Sequence, residues 1–290
     1  MSNSGQAFDS DEFKAEQRQM WDDVAAGWQA WWPTLERGAQ KVSDKIVELA
    51  EIKPGDRVLD IATGIGEPAV TAARKVMPNG KVVATDISPQ MLAIARIRAT
   101  SLGLDGIMEF RGDGEKLDLP DSTAVFDAII SRWGLMFLSN LPATLLRIRQ
   151  MLASNGRLSA AVWSVPSKVP LLDLALATVR KQINALVPPL GTPGPFALAD
   201  VEALERWFSQ AGFKDIRTDI LQITFGFDSP ESYTRFYQQI AAPVHSMLAN
   251  HTDEVKKQAW GSITQAVWQY ADSHGRVNLD NEVICIVGRN

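Results

Sequence analysis

The chain has 290 residues, of which 46% are hydrophobic and 22% are charged, a composition typical of a soluble globular protein. Its formal net charge of −5 gives no electrostatic reason to expect nucleic acid as a partner. A single cysteine, Cys285, excludes an intramolecular disulfide and a cysteine-based zinc cluster. No apolar run reaches the roughly 20 residues that span a bilayer, and the polar N-terminus resembles no targeting signal, so we expect a cytoplasmic protein without stable membrane insertion.

The N-terminal region predicts an amphipathic helix over residues 10–32, ended by Pro33. Trp21 and Val24 are expected to pack on the core. The remaining aromatic residues at the end of this helix have two open interpretations, core packing or the mouth of a binding site. They are Trp28, Trp31 and Trp32.

Residues 55–165 alternate short β-rich runs with helical segments, which predicts a doubly wound α/β domain with a parallel sheet. Further helices are expected over 169–187 and 198–212, followed by a sixth strand over 216–227, more helical sequence, and a last strand over 282–289. The predicted strands of the core cover residues 56–62, 81–87, 106–113, 125–131 and 156–163.

The stretch VLDIATGIGEP, residues 58–68, combines a buried strand with a glycine turn that leads into a helix. Such a turn points free backbone N–H groups at a ligand from the positive end of the helix. Gly64 and Gly66 flank Ile65, while Ala62 stands where an earlier glycine is common. The turn alone is a weak signal, because glycine is frequent in turns without ligands.

Two acidic residues strengthen the interpretation of this turn as a nucleoside site. Asp86 ends the second strand twenty residues after Gly66, an offset suited to accept hydrogen bonds from both ribose hydroxyls. Asp113 ends the third strand and could accept a hydrogen bond from an adenine amino group. The alternative is that both carboxylates only cap strand ends.

Together, VLDIATGIGEP, VVATDISPQMLAIAR, GDGEKLDLP and FDAIISRWGLMF resemble the class I S-adenosylmethionine-dependent methyltransferases, most closely the ubiquinone/menaquinone-biosynthesis-like group that methylates small molecules. The resemblance covers about residues 20–165. It implies a seven-stranded, mostly parallel Rossmann-like sheet with an antiparallel last strand and helical cap insertions. It further implies S-adenosylmethionine as the cofactor.

The resemblance implies a division of the chain into four regions. Residues 1–50 would form an N-terminal helical lid, and residues 51–165 the cofactor-binding core. Residues 166–215 would complete the core and cap. Residues 216–290 would hold the last two strands with an inserted helical cap at about 229–278.

The family pattern also implies roles for matching residues. Asp60 would orient the glycine loop and contact the methionine ammonium, directly or through water, and Asp86 would bind the ribose. The other implied cofactor contacts lie beneath the methionine and ribose, around the adenine, or beside the sulfonium. They are Ala62, Thr63, Gly64 and Gly66; Ile87, Met91, Gly112, Asp113 and Gly114; and Ser131 and Arg132.

The acceptor is expected to be a small hydrophobic or aromatic molecule. The segment after the fourth strand lacks an Asn-Pro-Pro-Tyr-like motif for base methylation and a glutamate pair for arginine methylation. A general base is optional in this chemistry, and His245, among apolar neighbours, is the best candidate, although a surface histidine is the simpler interpretation. The residues expected to line the acceptor pocket, in addition to the tryptophans of the first helix, are Trp133, Met136, Phe137 and Phe196.

Two alternative functions stay open at this point. The chain could be a non-catalytic sensor that binds S-adenosylmethionine or another nucleoside. A nicotinamide-dependent oxidoreductase is less favoured, because none of Tyr233, Tyr237 and Tyr270 is followed by lysine four residues later.

Glu67 could either contact the methionine ammonium or cap the following helix. No histidine has metal-ligand spacing, so no metal is expected.

Overall fold

The computed structural model describes residues 10–113, 125–189 and 191–290. Seven strands form one sheet in the order β3-β2-β1-β4-β5-β7-β6. All neighbouring pairs are parallel except those made by β7, which is antiparallel to both β5 and β6. The strands are β1 Arg57–Ile61, β2 Lys81–Thr85, β3 Met108–Arg111, β4 Phe126–Arg132, β5 Leu152–Trp163, β6 Lys214–Phe227 and β7 Val277–Arg289.

Helices cover both faces of the parallel part of the sheet, as the predicted crossovers require. Three helices, α8 to α10, are inserted between β6 and β7. The helices are α1 Ser10–Ala30, α2 Trp32–Leu49, α3 Ala69–Val76, α4 Pro89–Ser101, α5 Leu141–Met151, α6 Pro170–Ile183, α7 Val201–Gln210, α8 Pro230–Ile240, α9 Ala242–Leu248 and α10 Asp253–Val267. The predicted fold class, including the antiparallel last strand, is confirmed.

Local sequence explains where several elements begin. The Ser88 hydroxyl accepts a hydrogen bond from Met91 N, and Pro89 occupies the first helical position of α4. The residues of β1 and β2 are buried beyond the first residue of each strand, as expected for central strands covered on both faces.

The structure differs from the sequence-based prediction at two helix ends. The sequence predicts that the first helix ends at Pro33. In the structure α2 begins at Trp32, and Pro33 lies in the first turn of α2, where the missing N–H of proline costs little. Helix α5 ends at Met151, and β5 begins immediately, with a register shift against β4 between Phe126 and Ala128. The segment LPATLLRIRQMLASNG, residues 141–156, by itself predicts a helix that continues to Gly156.

The topology fixes the place of a binding site. The chain proceeds from β1 to β2 and β3 on one side of the sheet and to β4 and β5 on the other. At this switch point the loops after β1 and β4 diverge and leave a crevice at the carboxyl ends of the strands.

In the described part of the chain, no helix is both long enough and apolar enough to cross a membrane.

Candidate active site

A cavity occupies this crevice and is bounded on the opposite side by α1 and α8. Its outer part, which we call the cofactor arm, is lined by the loop after β1, by the end of β2, and by α1. Those lining residues include Lys14, Gln17, Trp21, Ala62, Thr63, Gly64, Glu67, Asp86, Ile87, Met91 and Asp113.

The loop after β1 has the backbone of a ligand-binding turn. Gly64 has a φ of +56°, and a Cβ built on it would meet no atom within 4 Å, so open space lies beside it. Ala62 also lies in the left-handed region, with a φ of +60°. The alanine therefore keeps the backbone conformation that a glycine would adopt, at a cost of roughly 1–2 kcal/mol.

Asp86 connects this turn to the start of α4. Its Oδ2 accepts a hydrogen bond from Gly64 N at 2.8 Å, and its Oδ1 accepts one from Ser88 N at 2.9 Å. Burial raises the pKa of Asp86 to about 6, although the two N–H groups oppose this rise. Each carboxylate oxygen retains a further lone pair that could accept a ligand hydroxyl.

Two buried polar side chains lie at the base of the turn. The carboxyl group of Asp60 has the hydroxyl of Thr63 and the backbone N–H of Ala69 as its nearby hydrogen-bonding groups. Asp60 is fully buried, and this burial raises its pKa well above the ordinary value, although these two groups oppose the rise.

A charged cluster closes the end of the cofactor arm next to α2 and α3. Glu67 is buried and lines the cavity; its Oε2 accepts a hydrogen bond from the Thr71 hydroxyl at 2.7 Å, and Arg98 Nη2 lies 3.4 Å from Oε1. Arg132 also lines the cavity and donates to Ser43 Oγ at 2.8 Å. Burial lowers the pKa of Arg132. Glu67 does not cap α3, whose N-terminus has no side-chain cap.

Helix α1 contacts the segments that follow β2 and β3. Lys14 Nζ lies 3.1 Å from Asp113 Oδ2 at the end of β3. Asp22 accepts hydrogen bonds from the Ser88 hydroxyl and from Gln90 N at 3.2 Å, both at the N-terminus of α4. These contacts hold α1 across the mouth of the cavity.

The inner arm of the cavity is apolar and aromatic. Trp133 and Trp163 stack in parallel, with ring centroids 4.2 Å apart. The indole N–H of Trp133 is buried and has no hydrogen-bond partner among the described residues. We define the inner arm as Trp133, Met136 and Trp163 at or just after the ends of β4 and β5, Leu171, Leu172 and Leu176 of α6, Phe225 of β6, and Phe236 and Tyr237 of α8.

Most of the predicted site residues line this one cavity. Five of them lie elsewhere in its surroundings: Asp60 and Ser131 are buried behind the loop, Gly66 and Gly112 do not contact the cavity, and Phe196 packs on the core beside the lining residue Pro195. Gly114 lies outside the described residues. The predicted residues that line the cavity are Ala62, Thr63, Gly64, Asp86, Ile87, Met91, Asp113, Arg132, Trp28, Trp32, Trp133, Met136 and Phe137.

Two further predicted residues do not line the cavity. Trp31 donates from its indole to Gln239 Oε1 at 2.5 Å and packs edge-on against Phe236. His245 does not line the cavity: its Nε2 lies 2.7 Å from Gln238 O and its ring contacts Trp260. The structure therefore gives His245 no position from which to act as a base in the cavity.

Sequence reasoning missed several lining residues. Trp21 packs on a buried hydrophobic cluster, as expected, but it also lines the cavity, and Val24 is buried as expected. Trp163 could have been found from its place at the carboxyl end of the fifth strand. Tyr237 follows Tyr233 by one helical turn, and nothing in the sequence shows which of the two faces the cavity.

No group of three or more potential metal ligands occurs in the described ranges.

The comparisons with known proteins agree with this geometry. Residues 52–221 match the family described as "Methyltransferase domain". The chain belongs to this methyltransferase family. The matched region begins just before β1 and extends into β6, so it contains the turn, Asp86 and the ends of β4 and β5.

Individual relatives cover different shares of the chain. The ubiquinone/menaquinone biosynthesis C-methyltransferase UbiE of Pseudomonas putida is 37% identical over 122 residues, which are 42% of this chain and 47% of the relative. The chain thus spans about half the length of the curated relatives it matches.

Solved structures show the same fold over nearly the whole chain. The [4+2]-cyclase SpnF has a TM-score of 0.61 at 20% identity and covers 95% of this chain and 96% of its own. A phosphoethanolamine N-methyltransferase 2 of Haemonchus contortus, solved with S-adenosylhomocysteine, has a TM-score of 0.56 at 18% identity and covers 94% of this chain and 60% of its own. Identities this low establish the fold only.

Proposed function

We propose that the protein is an S-adenosylmethionine-dependent methyltransferase that acts on a small hydrophobic or aromatic acceptor. One observation carries this proposal: open space lies beside Gly64, in a turn that Asp86 holds through Gly64 N and at whose base Asp60 and Thr63 are buried. Family membership and the aromatic inner arm support the same function.

The cofactor arm offers a matching group for each part of S-adenosylmethionine. The carboxylate of Asp86 suits the ribose hydroxyls, and Ile87 and Met91 provide apolar walls for an adenine ring. The turn at residues 62–64 and the oppositely charged side chains of Glu67 and Arg132 suit a methionine moiety, which carries both an ammonium and a carboxylate.

When bound, S-adenosylmethionine supplies a methyl group on a positively charged sulfur, and the transfer is an in-line displacement by the acceptor. The contribution of the chain is to align the reactants and to exclude water. Helix α1 covers the cofactor arm, and the inner arm presents uncharged side chains to the acceptor. We assign no general base.

Carbon is the first acceptor atom to test, because the Pseudomonas putida relative is described as a C-methyltransferase. The structural similarity to a cyclase shows why the fold alone does not decide the reaction. A cytoplasmic location and a small-molecule partner stay predictions.

Isothermal titration with S-adenosylhomocysteine tests the cofactor assignment. We expect saturable binding, and absence of measurable binding at high ligand concentration would overturn the proposal.

Turnover of methyl-labelled S-adenosylmethionine with a panel of neutral aromatic acceptors then tests catalysis. Label transfer to a member of the panel supports the methyltransferase. Cofactor binding without transfer across a broad panel favours the alternative, a non-catalytic sensor.

A further inference from the structure

A glycine inside helix α2 carries a further inference. Gly38 is buried in the interior of α2, where glycine is the least favourable residue apart from proline. Its backbone is helical, with no positive φ that would require a glycine. An isolated glycine of this kind usually has a packing or functional reason, so its explanation lies in the atoms around it.

One aromatic ring fills the space next to Gly38. A Cβ built on this glycine would lie 2.5 Å from Cε1 and 2.6 Å from Cδ1 of Phe225. Cβ atoms in folded proteins essentially never lie within 3.0 Å of such a neighbour. An alanine at this position therefore fits only if the ring or the helix moves.

Phe225 belongs to the wall of the inner arm. Ile223, Phe225 and Phe227 are buried and alternate with exposed residues of β6, so their side chains share one face of this strand, and α2 packs on β6. Phe225 is 1% exposed and lines the cavity. Its ring is thus a layer between α2 and the space proposed for the acceptor.

Two polar contacts hold α2 on the sheet one to two turns after the glycine. Ser43 Oγ accepts a hydrogen bond from Arg132 of β4 at 2.8 Å, and Lys45 Nζ lies 2.8 Å from Asp219 Oδ2 of β6. These contacts fix the distance between α2 and the strands. A methyl group added at the glycine is therefore accommodated by the ring of Phe225, and the cavity is the space into which this ring can move.

We infer that Gly38 is a positioning residue that sets the width of the inner arm, and with it the largest ring system that the acceptor can carry. The missing side chain lets the ring of Phe225 lie back against α2 and leaves the inner arm wide. This inference rests on the proposed function, because it takes the inner arm as the acceptor site.

Three neutral probes with one, two and three fused rings test the inference: phenol, 2-naphthol and 9-phenanthrol. Titration calorimetry at about pH 7, where phenol hydroxyls stay protonated, measures their affinities in the presence of saturating S-adenosylhomocysteine. The quantity compared among variants is the affinity of each larger probe relative to that of phenol, since this ratio reports the space available for further rings.

Substitutions on the two sides of the contact should shift this ratio in opposite directions. Gly38→Ala should lower the affinity for 2-naphthol relative to phenol by at least about fivefold, because the displaced ring narrows the inner arm. Phe225→Leu keeps the glycine and removes the edge of the ring, so it should raise the affinity for 9-phenanthrol relative to phenol by at least about threefold.

The double variant separates width from general damage. Gly38→Ala/Phe225→Leu removes the overlap and should return the ratio of 2-naphthol to phenol affinity to within about twofold of the wild type. S-adenosylhomocysteine should bind each of these variants as it binds the wild type, since Gly38 and Phe225 lie outside the cofactor arm.

Gly80→Ala is the matched control for overpacking. A Cβ at Gly80 would also overlap its neighbours, here Val76 Cβ and the backbone oxygen of Asp56. Gly80 directly precedes β2, at the opposite end of the strand from the cavity. This variant should lose thermal stability without any change in the probe ratios.

The outcomes distinguish the two proposals. If S-adenosylhomocysteine binds but the wild-type protein binds none of the probes, or if Phe225→Leu leaves both ratios unchanged, the inference is overturned and the cofactor assignment stands. An unchanged ratio in folded Gly38→Ala, or an equal change in Gly80→Ala, overturns it as well. If Gly38→Ala does not fold, Phe225→Leu decides. Failure of the wild-type protein to bind S-adenosylhomocysteine instead overturns the proposed function.

Discussion

Asp86 is a buried carboxylate whose two oxygens already accept hydrogen bonds from backbone N–H groups. The charges of Asp22 on α1 and Asp113 after β3 add to the effect of burial and also raise its pKa. Hydroxyl donors of a ribose would stabilise the ionised form. The carboxylate should therefore release its proton more readily when the ligand is bound.

This linkage predicts a pH-dependent affinity. With a pKa of about 6 in the free protein and a lower pKa in the complex, S-adenosylhomocysteine binds the ionised form preferentially. Affinity should be constant above about pH 7 and fall below pH 6, by at most about tenfold for each pH unit. Titration calorimetry between pH 5 and pH 8 measures this directly.

Asp86→Asn is the corresponding variant. It should bind at least about tenfold more weakly at pH 7.5 and lose the dependence between pH 5 and pH 7, because an amide does not titrate. An affinity of the wild-type protein that is constant over this range would show that Asp86 does not bind the ribose.

At the scale of elements, α1 is joined to the rest of the protein by two different kinds of contact. Its C-terminal end packs on α8: Trp28, and Trp31 just after the helix, donate to Ile240 O and Gln239 Oε1. The part of α1 from Lys14 to Asp22 crosses the cofactor arm and is held there by these two residues.

The contact of Asp22 with the N-terminus of α4 predicts a kinetic effect. Asp22→Ala should increase the dissociation rate of S-adenosylhomocysteine by about threefold to tenfold, since a lost cap-type contact is worth roughly 0.5–2 kcal/mol. Stopped-flow displacement measures this rate. The control is Asp23→Ala, which removes the same charge one residue away; among the described residues, Asp23 accepts a hydrogen bond from Gln19 of its own helix. Equal rates in the two variants would contradict this role for Asp22.

Two helical glycines predict opposite effects of the same substitution. A Cβ at Gly27 of α1 would overlap the backbone carbonyl of Gln239 on α8, whereas a Cβ at Gly261 of α10 would meet nothing within 4 Å. Gly27→Ala should destabilise by roughly 1–3 kcal/mol through overpacking. Gly261→Ala should stabilise by about 0.5–1 kcal/mol through helix propensity. Denaturant unfolding of both variants checks the two signs, and a stabilising Gly27→Ala would exclude close packing of α1 on α8.

At the scale of the whole molecule, β7 lies between β5 and β6 and connects the parallel sheet to the cap-bearing edge. Cys285 lies in this strand, opposite Ala161 of β5 and Asp219 of β6, and is fully buried. Burial raises the pKa of its thiol to about 12, so the folded protein holds little thiolate. The single cysteine is therefore a probe of opening of the sheet.

Reaction of Cys285 with the disulfide reagent DTNB should require unfolding of the β5–β7–β6 region. If this opening is global, S-adenosylhomocysteine at 100 times its dissociation constant should slow labelling by about 100-fold, because the ligand binds only the folded state. Absorbance of the released thiolate follows the reaction. A labelling rate that the ligand leaves unchanged would show that the edge of the sheet opens by itself, without the cofactor arm.

The sequence by itself determined the elements whose causes are local. The buried strand and turn of residues 58–68, the Ser88-Pro89 start of α4 and the positions of Asp86 and Asp113 at strand ends follow from neighbouring residues and from the alternation of strands and helices. Because parallel strands place their carboxyl ends at one edge, the meeting of Ala62–Gly64 with Asp86 was predictable without coordinates.

Only the tertiary structure decided which cap residues meet the cavity. Trp28 lines it but Trp31 does not, and Tyr237 lines it while Tyr233 and His245 do not. The two tryptophans lie three residues apart and the two tyrosines four, so their difference comes from the way α1 packs against α8 and α9. That packing depends on contacts between residues distant in the chain, such as Gly27 with Gln239, and no local pattern encodes such a contact.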